Sequence, residues 1–548
     1  MARILPPAYA LVLTLAVTAP LLAPGYLLLR DAVSTPRSYL TDAALGLSEA
    51  APRALPQDFA VALASTVVDG GVVVKLLLIA GLWLAGWGAA RLAAQVLPAS
   101  GPPGQCVAAT IAVWNPYVAE RLLQGHWSLL VGYGCLPWVA AAMVRLRGAS
   151  SGAAVGALAF WIALAGLTPT GVMLAATVAL VCVAAPGAGR PRWQSAALTL
   201  GFAAVTALPW LTAALVADTL SSSQAEGVGA FAARAEPGLG TLVSLAGLGG
   251  IWNADAVPVS RTTLFAVVAT AVLLGVVALG LPVVLRRPTA VPLVVLGVVA
   301  VVVPALMAAG PGLAAVEAAI RALPGLGVVR DAQKWVALAM PAYALAGAAA
   351  VLTVRRRRPA AATAAICCAA LIATLPDLAW GVGGKVAAVR YPPGWAVVAA
   401  MINADPRPVA VLPADSMRQF AWAGEAPVLD PLPRWVRAEV LTTGDLTVGG
   451  RTVPGEGARA RGVREILGAG ADRDRLVEAG VGWVVVESDS ATLGLPVAYR
   501  DDDIALYRVG GDHPRADGRG VVLAAHLAWL ALLFGGAGAT LWGARRRR

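Results

Sequence analysis

Four polar residues, Glu120, Arg121, Gln124 and His126, interrupt a largely apolar stretch that runs from Trp114 to Trp138. A charge at the centre of a bilayer costs roughly 2.5–3.5 kcal/mol on insertion scales, so we expect this cluster at a membrane surface or beside a wet cavity. The side chains of Glu120, Arg121 and His126 could bind phosphate, hold a sugar hydroxyl or carry a proton. A short surface turn with an internal Glu–Arg pair would explain the same residues.

A second group of charges, Arg330 and Lys334, lies in the sequence PGLGVVRDAQKW just before an apolar run. Arginine can grip a phosphate with two hydrogen bonds and lysine adds a point charge, which is the chemistry of a phosphate clamp. The alternative is a pair of side chains that extend from a helix end to the membrane interface.

Aromatic and polar residues that could bind carbohydrate occur in two further places. Trp252 and Asn253 lie in a Gly-rich loop, and Trp422 and Asp430 lie in a later polar segment. Aromatic faces stack on sugar rings, while carboxylates and amides accept hydrogen bonds from sugar hydroxyls. The Gly-rich loop could also simply be mobile, and Trp422 and Asp430 could be core and hairpin residues.

The composition defines the class of protein that positions these residues. The chain is 58% hydrophobic and 13% charged, whereas soluble domains average about 25% charged residues. The net charge of +11 comes largely from arginine runs at 355–358 and 545–548 beside apolar segments. Such runs are signals of membrane topology, so we do not expect nucleic-acid binding. The composition therefore predicts an α-helical polytopic membrane protein.

Hydropathy predicts about twelve transmembrane helices. They cover residues 9–29, 72–94, 105–119, 127–144, 152–167, 170–187, 196–217, 263–285, 290–308, 334–354, 360–376 and 520–542. Threading twelve spans places the arginine clusters on one side, which the positive-inside rule assigns to the cytoplasm together with both termini. The expected location is the plasma (inner) membrane.

This topology predicts three domains. Residues 1–376 form a multi-span core with extracytoplasmic loops at 30–71, 218–262 and 309–333; residues 377–519 form an extracytoplasmic α/β domain; and residues 520–548 form a final helix with a basic tail. In the α/β segment, 408–413, 481–488 and 503–509 are typical of strands, and 394–404 and 460–480 of helices.

This organisation resembles the GT-C superfamily of membrane glycosyltransferases, including the actinobacterial arabinofuranosyl- and mannosyltransferases. The features that carry the resemblance are the many spans, an acidic residue directly after the first span in LLLRDAVSTP, and a domain before the last span. The succession of LVEAGVGWVVVES, DIALYRV and a last basic-ended span also resembles the YfhO-like membrane glycosylation proteins.

The resemblance implies inverting transfer of a sugar from a polyprenyl-phosphate donor to an envelope glycan or glycolipid. In the family an acidic residue at the start of the first loop is the general base, and the matching position here is Asp31, with Asp58 as the reserve candidate. The family's members often carry paired acidic residues there, whereas Asp31 follows Arg30.

The remaining roles in such a reaction fall on the residues introduced above. Arg121, His126, Arg330 and Lys334 would stabilise the leaving phosphate. Substrate binding would fall to Glu120, Trp252, Asn253, Trp422 and Asp430. A divalent metal, Mg or Mn, could assist, although no ligand cluster in the sequence demands one. The competing interpretation is a non-catalytic membrane protein, either a transporter of lipid-linked glycans or a scaffold for envelope assembly.

Overall fold

The architecture is taken from a computed structural model of the 548-residue chain. It describes residues 4–49, 54–149, 151–217, 227–355, 357–448, 451–487, 492–514 and 516–545. Residues 218–226 of the predicted loop 218–262, Arg356, and Arg546–Arg548 lie outside the described residues.

Most of the described chain is helical. The α-helices are α1 Leu5–Thr18, α2 Asp42–Leu45, α3 Gln57–Ala64, α4 Gly70–Val96, α5 Gly101–Val113, α6 Pro116–Leu123, α7 Trp127–Gly148, α8 Gly152–Ala165, α9 Pro169–Cys182, α10 Arg192–Val216, α11 Thr241–Ala246, α12 Phe265–Leu285, α13 Val291–Met307, α14 Gly310–Ala322, α15 Met340–Val354, α16 Ala360–Ala373, α17 Ala379–Gly383, α18 Pro393–Ala404, α19 Leu432–Trp435, α20 Ala458–Gly468, α21 Arg473–Glu478 and α22 Arg519–Arg545.

The strands are short and concentrate towards the C-terminus. They are β1 Tyr26–Leu29, β2 Ala32–Val33, β3 Ala388–Val389, β4 Val409–Leu412, β5 Met417–Arg418, β6 Val428–Leu429, β7 Val440–Leu441, β8 Leu446–Val448, β9 Arg451–Val453, β10 Trp483–Val486, β11 Val497–Arg500 and β12 Ala505–Arg508.

Seven helices of the described chain are long and apolar enough to cross a membrane, or up to nine if each of two bent pairs is one span. The bends are 90° between α13 and α14 and 76° after α16. The predicted spans 105–119, 152–167 and 170–187 are helices α5, α8 and α9, of 13, 14 and 14 residues. At 1.5 Å per residue these are about 20 Å long, shorter than a hydrocarbon core of about 30 Å. The helices are those of a membrane protein, with seven to nine supported spans.

The first predicted span is too long at its C-terminal end. The helix and a following 3₁₀ turn end at Leu22, and Tyr26–Leu29 is strand β1. Pro20, Pro24 and Gly25 explain the change, because proline and glycine end a helix whatever the hydrophobicity of the residues that follow. Strand β1 pairs with β2 and β3 in a three-stranded antiparallel sheet.

The predicted loop at 309–333 is also more ordered than expected. Helix α14 occupies its first half and a 3₁₀ helix, Pro324–Val329, follows. A second 3₁₀ helix, Ala332–Ala339, then leads directly into α15. The polar residues near 330 therefore lie on a folded segment at the end of a span.

The predicted strands and helices of the C-terminal segment are confirmed as elements. A five-stranded mixed sheet has the order β11-β12-β10-β4-β7, with β10, β4 and β7 parallel. Successive side chains of a strand point to opposite faces, and both faces of this sheet are covered. Helix α18 packs on one face, and α20 and α21 pack on the other. Leu28 and Val33 of the first sheet also join the α18 side, which ties the start of the chain to this region.

Candidate functional site

Asp31 lies at the tip of the hairpin formed by β1 and β2. Leu29 pairs with Ala32, so Arg30 and Asp31 form a two-residue turn. Arg30 adopts a φ of +48°, a left-handed conformation that costs energy for a residue with a side chain and that persists only where surrounding contacts enforce it.

Those contacts come from two distant parts of the chain. The Arg30 amide donates to the Pro427 carbonyl at 2.8 Å, and the Leu429 amide donates to the Arg30 carbonyl at 2.9 Å. On the other side, the Asp31 amide donates to the Gln124 carbonyl at 3.3 Å. Gly125 has a φ of +82°, and a Cβ there would collide with the Leu29 carbonyl oxygen. The tip is therefore held on both sides.

The guanidinium of Arg30 also anchors the tip. It donates to the Leu123 carbonyl at 2.6 Å and to the Asp255 carbonyl at 2.8 Å. Arg30 itself is buried. Arg30 thus fixes the backbone that carries Asp31.

A chain of side-chain hydrogen bonds runs from Arg121 to Asp31. Arg121 Nη1 lies 3.1 Å from His126 Nδ1, and His126 Nε2 lies 3.0 Å from Asp31 Oδ2. Arginine can only donate, so Nδ1 must be the acceptor and Nε2 carries the proton that it donates to Asp31. Gln124 Nε2 donates to the same Oδ2 at 3.0 Å.

The second oxygen of Asp31, Oδ1, accepts no hydrogen bond from the described part of the chain. The side chain is 43% exposed, although it lies in a recess rather than on the outer surface. Burial alone would raise the pKa of Asp31. The hydrogen bonds from His126 and Gln124 and the nearby charge of Lys334 outweigh burial, so the pKa is lowered. Asp31 is therefore an ionised carboxylate at neutral pH with one oxygen available to a ligand.

His126 is neutral at the same pH. Burial lowers its pKa, and the positive charges of Lys334 and Arg121 add to that effect, against the opposing influence of Asp31. A neutral imidazole fits the donor and acceptor roles assigned above. His126 thus orients Asp31 as a hydrogen-bond donor rather than as a counter-ion.

Asp331 ties this chain to two cations. Arg121 donates to it from Nη1 at 2.9 Å and from Nη2 at 3.2 Å, and Lys334 Nζ lies 3.6 Å from Oδ2. Burial opposes ionisation of Asp331, but Arg121 and Lys334 outweigh it and lower its pKa. The neighbouring Arg330 places its guanidinium 4.2 Å from the centre of the Phe231 ring.

Asp31, Arg330 and Lys334 face one large cavity of about 800 Å³. Its volume is within the range of about 300–1,000 Å³ typical of small-molecule sites. The predicted site residues that line it are Asp31, His126, Trp252, Asn253, Arg330 and Lys334. Apolar side chains of α9 and α10, including Met173 and Trp210, form another part of the wall. The cavity thus combines a carboxylate, cations and an apolar surface.

Glu120 and Arg121 do not line the large cavity. Both are fully buried. Glu120 accepts hydrogen bonds from the amides of Gly250 and Ile251 at 3.0 and 3.2 Å, and from Gln333 Nε2 at 2.9 Å. Its contacts hold the loop that presents Trp252 and Asn253, so it positions the wall from behind. Arg121 acts in the same way through His126 and Asp331.

The remaining predicted residues lie near the C-terminal region. Asp58 accepts a hydrogen bond from Arg434 Nε at 3.2 Å, and its other oxygen forms an ion-pair contact with Arg434 Nη2 at 3.1 Å. Asp58 and Asp430 line a small cavity of about 270 Å³ that also reaches Asp31. Trp422 lines neither cavity and packs among aromatic rings, 4.9 Å from Phe420 between ring centres.

Several cavity residues were not identified from the sequence. Arg418 and Gln419 reach the large cavity from the C-terminal region, more than 280 residues from Gln124 along the chain. No local pattern could have indicated them, because the backbone hydrogen bonds of Arg30 with Pro427 and Leu429 bring this distant segment to the β1–β2 hairpin. Gln124 belongs to the polar cluster, but its contact with Asp31 was not predicted. Its position two residues before His126, which contacts the same oxygen, was the available signal.

A metal ion has no evident place in this arrangement. Among the described residues, no group of three or more His, Cys, Asp or Glu side chains is arranged to hold one. The carboxylate nearest the cations, Asp331, is already engaged by Arg121 and Lys334. We therefore derive no step through a metal.

Comparisons with known proteins give no relative for this chain. No protein-family model, no curated protein and no solved structure matches it.

Proposed function

We propose that this chain is an integral membrane glycosyltransferase that transfers a sugar from a polyprenyl-phosphate donor to an envelope glycan or glycolipid. The observation that carries the proposal is the large cavity, in which an ionised Asp31 with one available oxygen faces the same space as Arg330 and Lys334. A reaction that needs a base on one side and a leaving-group cation on the other requires this pair of features.

In the proposed reaction the acceptor hydroxyl oxygen attacks the anomeric carbon of the donor sugar. The bond from that carbon to the phosphate oxygen breaks, and its electron pair leaves with the lipid phosphate. The proton of the hydroxyl passes to Asp31 Oδ1. Attack from the face opposite the leaving group inverts the configuration, and Arg330 and Lys334 stabilise the charge that develops on the phosphate.

The apolar part of the cavity wall supports a lipid donor. Met173 and Trp210 are partly buried side chains on α9 and α10, and α10 is one of the seven helices able to span a membrane. A phosphate near Lys334 would leave its lipid chain close to these helices. A water-soluble nucleotide sugar would gain nothing from such a wall.

The distribution of arginines supports an orientation. Arg145 and Arg147 end α7, and Arg286 follows α12, whereas Asp31 and His126 lie at the opposite helix ends. By the positive-inside rule the cavity would face the extracytoplasmic side of the plasma membrane, and the termini the cytoplasm. Polyprenyl-phosphate donors, unlike nucleotides, are available there.

One observation favours the alternative, a non-catalytic protein that binds lipid-linked glycans. The pKa of Asp31 is lowered, which weakens it as a base. A weak base suffices only if the hydroxyl loses its proton late, when the bond to the anomeric carbon is largely formed. A transporter or scaffold would need the cavity but no proton acceptor.

Transfer assays distinguish these functions. Purified protein is incubated with a panel of radiolabelled polyprenyl-phosphate sugars and envelope acceptors, and incorporation is compared with that of Asp31→Asn. We expect the variant to lose about 10²–10⁴-fold in rate, the usual contribution of a general base. The amide is isosteric, so folding should be preserved.

The matched control is Asp502→Asn, which changes an exposed aspartate of the C-terminal region in the same way. It should transfer at the native rate. Donor-dependent transfer that is equal in the native protein and Asp31→Asn would remove Asp31 as the base. Binding of the donors by folded native protein, without any transfer or donor hydrolysis, would favour the transporter or scaffold.

A further inference from the structure

The small cavity lies beside the large one and shares part of its wall. Asp31, Met417, Leu429 and Arg434 line both spaces. With about 270 Å³, the small cavity is slightly smaller than the usual range for small-molecule sites, about 300–1,000 Å³. It can hold a compact ligand next to Asp31 while the large cavity is occupied.

Hydroxyl-bearing side chains provide one part of its chemistry. Ser38 and Tyr39 come from the segment after the β1–β2 hairpin, and Ser416 and Thr442 come from the C-terminal region. Such groups both donate and accept hydrogen bonds. They suit a ligand that also carries several hydroxyls.

Carboxylates provide the other part. Asp58, Asp430 and Glu456 line the small cavity together with Asp31, and Arg434 is the cation that lines it. Arg434 is engaged with Asp58 through one hydrogen bond and a second ion-pair contact. Ionised carboxylates only accept hydrogen bonds, and an excess of them repels an anion. The small cavity therefore favours a neutral donor of hydrogen bonds.

The large cavity differs from the small one in the cations that line it. Arg330 and Lys334 line it and do not line the small cavity. Asp31 lines both cavities, and its Oδ1 accepts no hydrogen bond from the described part of the chain. A phosphate and a neutral polyol would thus be sorted to different sides of the same carboxylate.

We infer that the small cavity is the binding site for the acceptor, a neutral sugar unit whose attacking hydroxyl is directed at Asp31. This inference rests on the proposed glycosyl transfer for its role, although sugar binding at the site can be tested without any reaction. Asp58 then has a binding role, because it accepts hydrogen bonds from Arg434 and from the acceptor; it is not a second base. It also predicts that acceptors phosphorylated on the bound ring are excluded.

The test uses photoreactive octyl glycosides of mannose and of arabinofuranose with the full-length protein in detergent. Crosslinked peptides are mapped by mass spectrometry in the native protein and in Ala43→Trp. Ala43 is a half-buried lining residue of the short helix α2, so an indole there would occupy part of the cavity. The control is Leu63→Trp, at a position that is 50% exposed on α3 and does not line the cavity.

We expect labelling of the segments around residues 38–48 and 416–442. Labelling should fall at least fivefold in Ala43→Trp and stay at the native level in Leu63→Trp. An excess of unlabelled octyl mannoside should protect the site, and its 6-phosphate should not. Labelling that is absent from both segments, or that Ala43→Trp leaves unchanged, would overturn the inference.

The same samples separate this inference from the proposed function. Labelling in the small cavity without transfer by the native protein would support sugar binding at this site and would contradict the proposed glycosyltransferase activity. Transfer by the native protein with an unchanged KM for the octyl glycoside in Ala43→Trp would keep the enzyme and move the acceptor elsewhere.

Discussion

Two buried arginine–carboxylate pairs, Arg261–Glu236 and Arg121–Asp331, differ in what surrounds them. Arg261 and Glu236 form a closed group: Arg261 Nε donates to Glu236 Oε1 at 2.8 Å, Nη2 donates to the other oxygen, and Nη2 also reaches Thr270 Oγ1 at 3.0 Å. Neither residue lines either cavity. This pair ties the loop to α12, and within the described chain neither of its residues hydrogen-bonds to a residue that lines a cavity.

The pair of Arg121 and Asp331 is open. Arg121 is as deeply buried as Arg261, yet its hydrogen bonds continue through His126 to Asp31, and Asp331 has a second cation in Lys334. Buried charge pairs contribute little net stability but are costly to break. The same kind of ion pair therefore supports only the fold in one place, whereas in the other it is also connected to Asp31, the proposed base.

The largest expected effect on stability comes from Arg261→Met. This change leaves Glu236 buried without its cation, at a cost of about 3–5 kcal/mol. Thermal unfolding in detergent, followed by tryptophan fluorescence, should show a strongly lowered Tm. Transfer per folded molecule should change little, because neither residue of the pair lines a cavity or hydrogen-bonds to a described residue that does.

The double variant Arg261→Met with Glu236→Leu tests the cause. Removing both charges should restore most of the lost stability, because the penalty comes from the unpaired carboxylate. If transfer is lost in the double variant while the Tm recovers, the closed pair would have a role in the site that its contacts do not indicate.

Arg121→Met should have a smaller effect on stability and a larger one on transfer. Asp331 keeps Lys334 at 3.6 Å, so its charge is not left unpaired. The loss of the charged hydrogen bond to His126, worth about 1.5–3 kcal/mol, corresponds to roughly 10–100-fold in rate if that energy positions Asp31. Kinetics and Tm measured on one preparation would expose the contrast with Arg261→Met. Equal behaviour of the two variants would erase the distinction between open and closed pairs.

The smallest expected effect is a shift of the pH profile in His126→Phe. In the native protein, hydrogen bonds lower the pKa of Asp31, so the base stays ionised and rate is lost only when the pH falls below the usual range for an aspartate. Without the His126 hydrogen bond, burial raises this pKa, and the acid limb of kcat/KM should move to higher pH. The same substitution at exposed His513 is the control and should leave the limb in place. An unmoved limb in His126→Phe would mean that another group governs it.

The sequence predicted secondary-structure elements better than it predicted which distant residues contact one another. Val409–Leu412 and Trp483–Val486 were recognised as strands because each is a short apolar run between turn residues. Tyr26–Leu29 is equally apolar, but it continues a long hydrophobic run, and hydropathy alone assigned it to the first span. Proline and glycine before it were the local signal that outweighs hydropathy.

The candidate site was predicted only as a set of separate clusters. The polar group 120–126 was expected beside water, and His126 does line the large cavity, but Glu120 faces inward to amides 130 residues later in the chain. No spacing within the sequence encodes such a partner. The same holds for the small cavity, whose walls come from both ends of the chain.

The backbone hydrogen bonds of Arg30 with Pro427 and Leu429, which fix the tip of the β1–β2 hairpin, also have a consequence for biosynthesis. Asp31 is among the first residues made, but the strand that fixes its turn, at 427–429, is translated almost 400 residues later. Contacts so far apart in sequence form late in folding. A nascent chain with all of its early helices inserted would still lack the contacts that position the Asp31 carboxylate. The proposed transfer reaction would therefore begin only after residues 427–429 have been made and have paired with the hairpin.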